Sequence, residues 1–162
     1  VTIDHAAIDA RRTEIRQRYL LPHRPSSSAR GLHHVALLSS DVERTVKFYQ
    51  ELLEFPLTEI IENRDHPGSS HFFFDIGNGN LLAFFDFPGL DLGPYREVLG
   101  GLHHIAISVD PATWERLRGK LEMAGVPHQI ESGASLYFKD PDGARLELLA
   151  DHLGEMYGAR VL

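Results

Sequence analysis

Gly31–Leu38 reads GLHHVALL, and Gly101–Ser108 reads GLHHIAIS. A near-identical octapeptide that returns after seventy positions in a chain of 162 residues predicts two copies of one folding unit. After each histidine pair the residues are apolar and β-branched, so each copy opens with a buried strand. Alternation along a strand places His34 with Ala36 and Leu38 on one face and His33, Val35 and Leu37 on the other. In the same way His104 shares a face with Ala106 and Ser108. The bulky face is expected to pack on helices. The small-residue face leaves space in front of it, and chemistry is expected where His34 and His104 project into that space.

Working outward, Ser39-Ser40-Asp41 is a helix start, followed by a helix Asp41–Leu53 with Val42, Val46, Tyr49 and Leu53 on its apolar stripe. Strands are expected at Phe55–Ile61, His71–Ile76 and Leu81–Phe87, the last two joined by the turn Gly77-Asn78-Gly79-Asn80. The second copy repeats this order: strand Leu102–Val109, the cap Asp110 with Pro111 at the first helical position, helix Ala112–Ala124 ended by Gly125, then strands Pro127–Glu131, Ser135–Lys139 and Arg145–Ala150. The fold class expected is therefore α+β. Two βαβββ repeats, 31–87 and 101–150, would form an eight-stranded curved, partly open barrel-like sheet with helices outside. Residues 1–30 supply a helix, Asp4–Tyr19, with Ile8, Ile15 and Tyr19 at helical spacing, and then a Pro/Ser-rich linker. Residues 88–100 connect the repeats, either folding over the mouth of a site or merely crossing between them. Residues 151–162 read as an irregular or helical tail.

Composition narrows the function. A net charge of −7 without a Lys/Arg cluster argues against nucleic acid. With no cysteine, any metal must be held by His, Asp or Glu. No apolar run reaches membrane-span length and no signal-peptide core is visible at the start, so the expectation is a cytoplasmic protein that does not engage a membrane.

The two hairpins sharpen the metal reading. Asp75–Phe85, DIGNGNLLAFF, aligns with Asp140–Leu149, DPDGARLELL, with one extra residue in the first turn. Gly79 then matches Gly143, Leu82 matches Leu146, and Ala83 matches Glu147. A carboxylate between Leu146 and Leu148 in a core strand is costly unless paired or bound to a cation. By alternation Glu147 faces the same side as the two histidines. Two imidazoles and one carboxylate form a facial triad that leaves a divalent metal open positions for water and a bidentate oxygen ligand. Such ligands suit Fe(II) or Mn(II), with Zn(II) and Ni(II) also accommodated.

LHHVAL, LHHIAI and LYFKDPDGARLEL make the chain similar to the vicinal oxygen chelate superfamily, which includes glyoxalase I, extradiol dioxygenases, fosfomycin-resistance enzymes and bleomycin-resistance proteins. The resemblance covers Gly31–Asp151. It implies His34, His104 and Glu147 as metal ligands. Glyoxalase I and the related epimerases take a fourth ligand at the position of Ala83, which cannot coordinate. That leaves the three-ligand pattern of the dioxygenases and fosfomycin-resistance enzymes, in both of which a tyrosine at the place of Tyr137 touches substrate. His128 stands at a spacing resembling that of a second-sphere histidine of the extradiol enzymes. Basic residues near the triad are few, Arg160 after Glu147 with Lys139 and Arg145 nearby, which makes a thin case for binding a phosphonate. Phe72, matched to Tyr137, would line an apolar pocket suited to an aromatic ring. The function expected is metal-dependent, extradiol-dioxygenase-like chemistry on a small aromatic diol or another vicinal-oxygen substrate. The alternatives are a fosfomycin-resistance-like thiol transferase or hydrolase, a glyoxalase-type lyase, and a small-molecule binding protein with a vestigial metal site. The resemblance also implies a homodimer. In some relatives the repeats are exchanged between chains, so that His34 would meet His104 and Glu147 of a second copy.

Overall fold

The computed structural model describes residues 3–20 and 22–162; Val1, Thr2 and Leu21 lie outside the described residues. The chain divides into an N-terminal segment through Gly31 and a body, Leu32–Leu162. In the segment, helix α1 spans His5–Tyr19 and is capped by Asp4, whose side chain accepts from the Ala7 amide at 3.0 Å. None of its residues is buried, so Ile8, Ile15 and Tyr19 lie open. No helix among the described residues is long and apolar enough to cross a membrane.

The body is two βαβββ repeats. The first contains β1 (His34–Leu38), α2 (Val42–Val46, continued by a π-helical turn Lys47–Leu52), β2 (Leu57–Glu62), β3 (Ser70–Asp75) and β4 (Leu81–Phe85). The second contains β5 (Ile105–Ser108), α3 (Pro111–Met123), β6 (His128–Glu131), β7 (Ser135–Lys139) and β8 (Arg145–Leu149). The eight strands are shared between two four-stranded mixed sheets of identical topology, β1-β4-β3-β2 and β5-β8-β7-β6, and no barrel closes. In each sheet the first strand pairs parallel with the last, and the other pairings are antiparallel. The two helix starts follow from sequence: Asp41 accepts from the Arg44 amide and Asp110 from the Thr113 amide, each at 2.9 Å.

One core serves both repeats. Tyr49, Phe72, Phe74, Leu82 and Phe84 of the first pack in the same cluster as Ile105, Leu117, Leu136, Phe138 and Leu146 of the second. A polar clamp crosses between them. The Tyr49 hydroxyl donates to the buried Asp140 Oδ2 at 3.0 Å, while the other carboxylate oxygen accepts from the amides of Asp142 and Ala144. Asp142 in turn accepts from the Ser40 amide at 3.1 Å and pairs with Arg44 at 2.8 Å. Burial raises the Asp140 carboxyl above its ordinary value, and burial with the Asp140 charge raises the Tyr49 phenol well above its own.

Two expectations are corrected here. The tail after Asp151 is neither irregular nor helical: β9 (Glu155–Met156) and β10 (Ala159–Arg160) form a small antiparallel ladder. Its two-residue loop places Tyr157 at φ 54° and Gly158 at φ 72°, both left-handed, and that geometry matches the twist of a hairpin. The two large hairpins, moreover, are of equal length. Phe73 pairs with Ala83 and Tyr137 with Glu147, so no extra residue intervenes, and Asp140 corresponds to Ile76 rather than Asp75.

Candidate metal centre

Strand alternation sorts each sheet into a core face and a second face directed away from it. On the second repeat's outer face Glu147 sits mid-strand on β8, between Ala106 of β5 and Tyr137 of β7 in register. Its neighbours Leu146 and Leu148 enter the core, which fixes the carboxylate on the opposite side. His104 stands immediately before β5 and directs Nε2 to Glu147 Oε2 at 3.0 Å. The carboxylate residue is only 5% exposed. Tyr137 meets the His104 ring edge to face at 5.6 Å and pairs in register with Glu147; burial foremost, then the neighbouring Glu147 carboxylate, raises its phenol above the usual value. His103 Nδ1 lies 2.6 Å from His104 Nδ1, so one of these nitrogens donates to the other. The small side chain of Ala106 leaves the space in front of the pair open.

The donor chemistry fits a divalent cation. An imidazole nitrogen and a buried carboxylate oxygen converge within one hydrogen-bond length, where a metal would replace the contact between them. His34 is not brought to this pair within the chain. It belongs to the first sheet, with His33 Nδ1 2.8 Å from its own Nδ1. The same face of that sheet carries His71, whose imidazole is held below its ordinary value by burial and then by His34. Among the described residues no three His, Asp or Glu gather closely enough to hold a metal ion. The reason is architectural: the repeats share a core through their other faces, so each histidine face looks outward on its own.

His128 opens edge strand β6 opposite Phe138, one step out of phase with Tyr137, which pairs with Gln129. Its Nδ1 contacts the Val126 carbonyl at 3.0 Å. It nonetheless borders, with Tyr137, a cavity of about 530 Å³ that also takes in Glu97, Lys139 and Arg145. A larger cavity of about 880 Å³ lies on the first repeat's side, lined by Ala36, Leu38, Phe87 and Leu90, and Asp142. Connector residues line both cavities, so residues 88–100 do more than cross between repeats. Phe72 is fully buried in the core, and the residue that holds the place of Tyr137 is Phe73. Sequence reasoning missed Phe73 because it inserted a residue in the turn; equal spacing from Phe73 to Ala83 and from Tyr137 to Glu147 was the available signal. It also missed Glu97, for which the irregular connector gives no periodic signal.

Residues 31–148 match the Glyoxalase/Bleomycin resistance protein/Dioxygenase superfamily. The chain belongs to this superfamily. It is 32% identical over 141 residues to the "Putative ring-cleaving dioxygenase MhqA" of Bacillus subtilis, covering 81% of this chain and 43% of that protein. The chain thus spans less than half of the MhqA length. It is 30% identical over 133 residues to the metallothiol transferase FosB of Shouchella clausii, covering 77% of this chain and 83% of that protein. Among solved structures, a glyoxylase/bleomycin resistance protein/dioxygenase domain from Frankia superposes with a TM-score of 0.67 at 22% identity, over 79% of this chain and 96% of that one. A variant of the fosfomycin resistance protein FosX from Listeria monocytogenes, solved with Mn(II) and 1S,2S-dihydroxypropylphosphonic acid, superposes with a TM-score of 0.57 at 22% identity, over 76% of this chain and 94% of that one.

Proposed function

We propose that the chain is a divalent-metal-dependent enzyme acting on a small aromatic diol by extradiol-type ring cleavage. His104 and Glu147 are two of its ligands, and His34 of a second copy of the chain is the third. The observation that carries this reading is the convergence of His104 Nε2 and the buried Glu147 carboxylate at 3.0 Å beside Tyr137. The similarity to MhqA supports the reaction class. A homodimer that sets the first repeat's face of one copy against the second repeat's face of the other would complete the triad twice, once per subunit. Fe(II) or Mn(II) suits this ligand set, and when bound supplies Lewis-acid activation of the diol together with a place for dioxygen.

The protein's own groups do the rest. His104 and Glu147 would hold the metal in place beside Tyr137. The protonated Tyr137 hydroxyl donates toward the oxygen on which charge develops. His33 and His103 hold the tautomers of the ligand histidines through their Nδ1 contacts. Because both atoms of dioxygen enter a ring-cleavage product, no external reductant is consumed.

Protein reconstituted with Fe(II) under anaerobic conditions is expected to take up oxygen with at least one member of a catechol panel, with a ring-opened chromophore appearing in step. Absence of uptake across the panel, in protein that holds one metal per chain, overturns the ring-cleavage reading. A second reading is favoured by the alignment to FosB, which spans most of that protein: thiol transfer to fosfomycin with Mn(II), tested by loss of the drug in the presence of glutathione or cysteine.

A further inference from the structure

Two cations stand directly opposite each other on the outer face of the second sheet. Lys139 and Arg145 are register partners across β7 and β8, flanking Tyr137 and Glu147 on the same face. Like charges in that relation destabilise a sheet unless an anion lies between them. The neutralisation within the chain is slight. Arg145 Nη1 lies 3.5 Å from Glu97 Oε1 and 3.5 Å from His103 Nε2, both long contacts, and its guanidinium rests 5.0 Å above the Tyr137 ring. The Lys139 ammonium has neither ion pair nor hydrogen bond among the described residues. Both side chains, with His128, line the 530 Å³ cavity, and Glu97 is the acidic residue that lines it among the described residues. A cluster of bases round one cavity, in a chain of net charge −7, runs against the protein's own field.

We infer that this cavity is the subsite for an acidic group of the substrate, anchored by Arg145 and Lys139, and that Glu97 is an internal carboxylate which the substrate's acid displaces. The inference rests on the metal reading for its geometry. Arg145 precedes Glu147 by two residues on one face of β8, about 7 Å along the strand, which is the span of a substituted benzene ring. A diol at the metal would therefore carry its acid on the far side of the ring. Arg145 presents the planar fork that a carboxylate or phosphonate needs, already oriented by stacking on Tyr137. The pairing with Glu97 keeps the guanidinium in place when no substrate is bound and, with Glu97 on the connector rather than in the sheet, yields to a better anion.

The test uses metal-free protein, so that it does not depend on turnover. Benzoate, phenylphosphonate and benzyl alcohol are titrated while the amide NMR shifts of residues 137–147 are followed. One of the two acids is expected to bind about 10-fold tighter than the alcohol, the scale of a charge-assisted hydrogen bond. Preference for benzoate assigns a carboxylate, preference for phenylphosphonate a phosphonate. Arg145→Gln removes the advantage, Lys139→Gln at its exposed position reduces it, and Glu97→Gln tightens the acid about threefold, as loss of an exposed competing ion pair allows. Equal binding of acid and alcohol, or an acid advantage that survives both Arg145→Gln and Lys139→Gln, overturns the inference while leaving the metal reading standing. If the acid dependence holds but iron-loaded protein takes up no oxygen with either catechol or 3,4-dihydroxybenzoate, the ring-cleavage reading falls and the anion subsite survives.

Discussion

The two sheets have the same strand order, the same pairings and hairpins of the same length, yet their outer faces carry different chemistry. Around the central strand of the first stand His34, Ala83 and Phe73; around that of the second stand His104, Glu147 and Tyr137. Matching strand orders thus hold two histidines, His34 and His71, among apolar neighbours in one half, and a histidine with a carboxylate, a phenol and two cations in the other. Fold and function are separable at the resolution of single side chains: register fixes where a group points, and residue identity alone decides whether that place binds anything.

The largest way to break this comparison is to make the second face resemble the first. Glu147→Ala, which recreates the situation of Ala83, is expected to weaken Fe(II) or Mn(II) binding by about 100-fold or more, measured by calorimetric titration, with the fold intact by circular dichroism. A companion experiment asks whether the halves work together across chains. His34→Ala and His104→Ala are each expected to be inactive, but unfolding and refolding them together in equal amounts should restore about a quarter of the wild-type activity, because half the dimers are mixed and each mixed dimer has one intact site. No recovery would overturn the completion of the site by His34 of a second copy.

Next is the position where Ile76 and Asp140 correspond. The first is an apolar side chain against the core, the second a buried carboxylate gripping Tyr49. Asp140→Ala strands the Tyr49 hydroxyl and two amides, and is expected to cost about 2–4 kcal/mol in urea unfolding. The pH dependence has a definite sign. A carboxyl whose folded value is raised favours the fold most when protonated, below its unfolded value near 3.8, and that contribution is lost as pH rises through the raised folded value. Asp140→Asn should flatten this part of the stability profile.

A smaller effect is expected where Tyr137 stands in the place of Phe73. Tyr137→Phe should lower kcat/KM by about 10-fold while metal affinity is unchanged, since it removes one donor to developing charge. Smallest is the exposed bridge between the repeats, where Glu54 meets Arg116 at 2.9 Å and Lys120 at 3.1 Å. Hydrogen bonds from Arg116 and then Lys120 hold the Glu54 carboxyl below its ordinary value, so its contribution is present above about pH 4.5 and lost as pH falls through the folded value, opposite in sign to Asp140. Glu54→Gln is expected to cost under about 1 kcal/mol.

Much of this was legible in the residues. The repeated GLHH octapeptide dictated two equal units, the aspartate caps dictated where α2 and α3 begin, and Glu147 between two leucines marked a charge that needed a partner. What failed did so for physical reasons. Phe72 and Phe73 are chemically alike, so composition could not say which faces the core, and an aspartate matched to the wrong aspartate shifted the strand by one residue and reversed its faces. The tail hairpin depends on a tyrosine in the left-handed region, which a sequence pattern does not advertise. The separation of His34 from His104 is a matter of how two sheets share a core, and no local pattern encodes it.

The clamp at Asp140 and Asp142 has a consequence for biosynthesis. It joins side chains 91 to 102 positions apart in the chain. The Tyr49 ring already covers Phe74 and Phe84 from within the first repeat, with ring centroids 5.2 and 4.9 Å apart, but its hydroxyl must wait for Asp140 of the second. Contacts this distant close late and slowly, and a nascent half whose share of the core is not yet joined by Leu117, Leu136 and Leu146 is the species most in need of a chaperone. Truncation just before the second GLHH would trap that state, as an aggregation-prone fragment rather than a smaller version of the same protein.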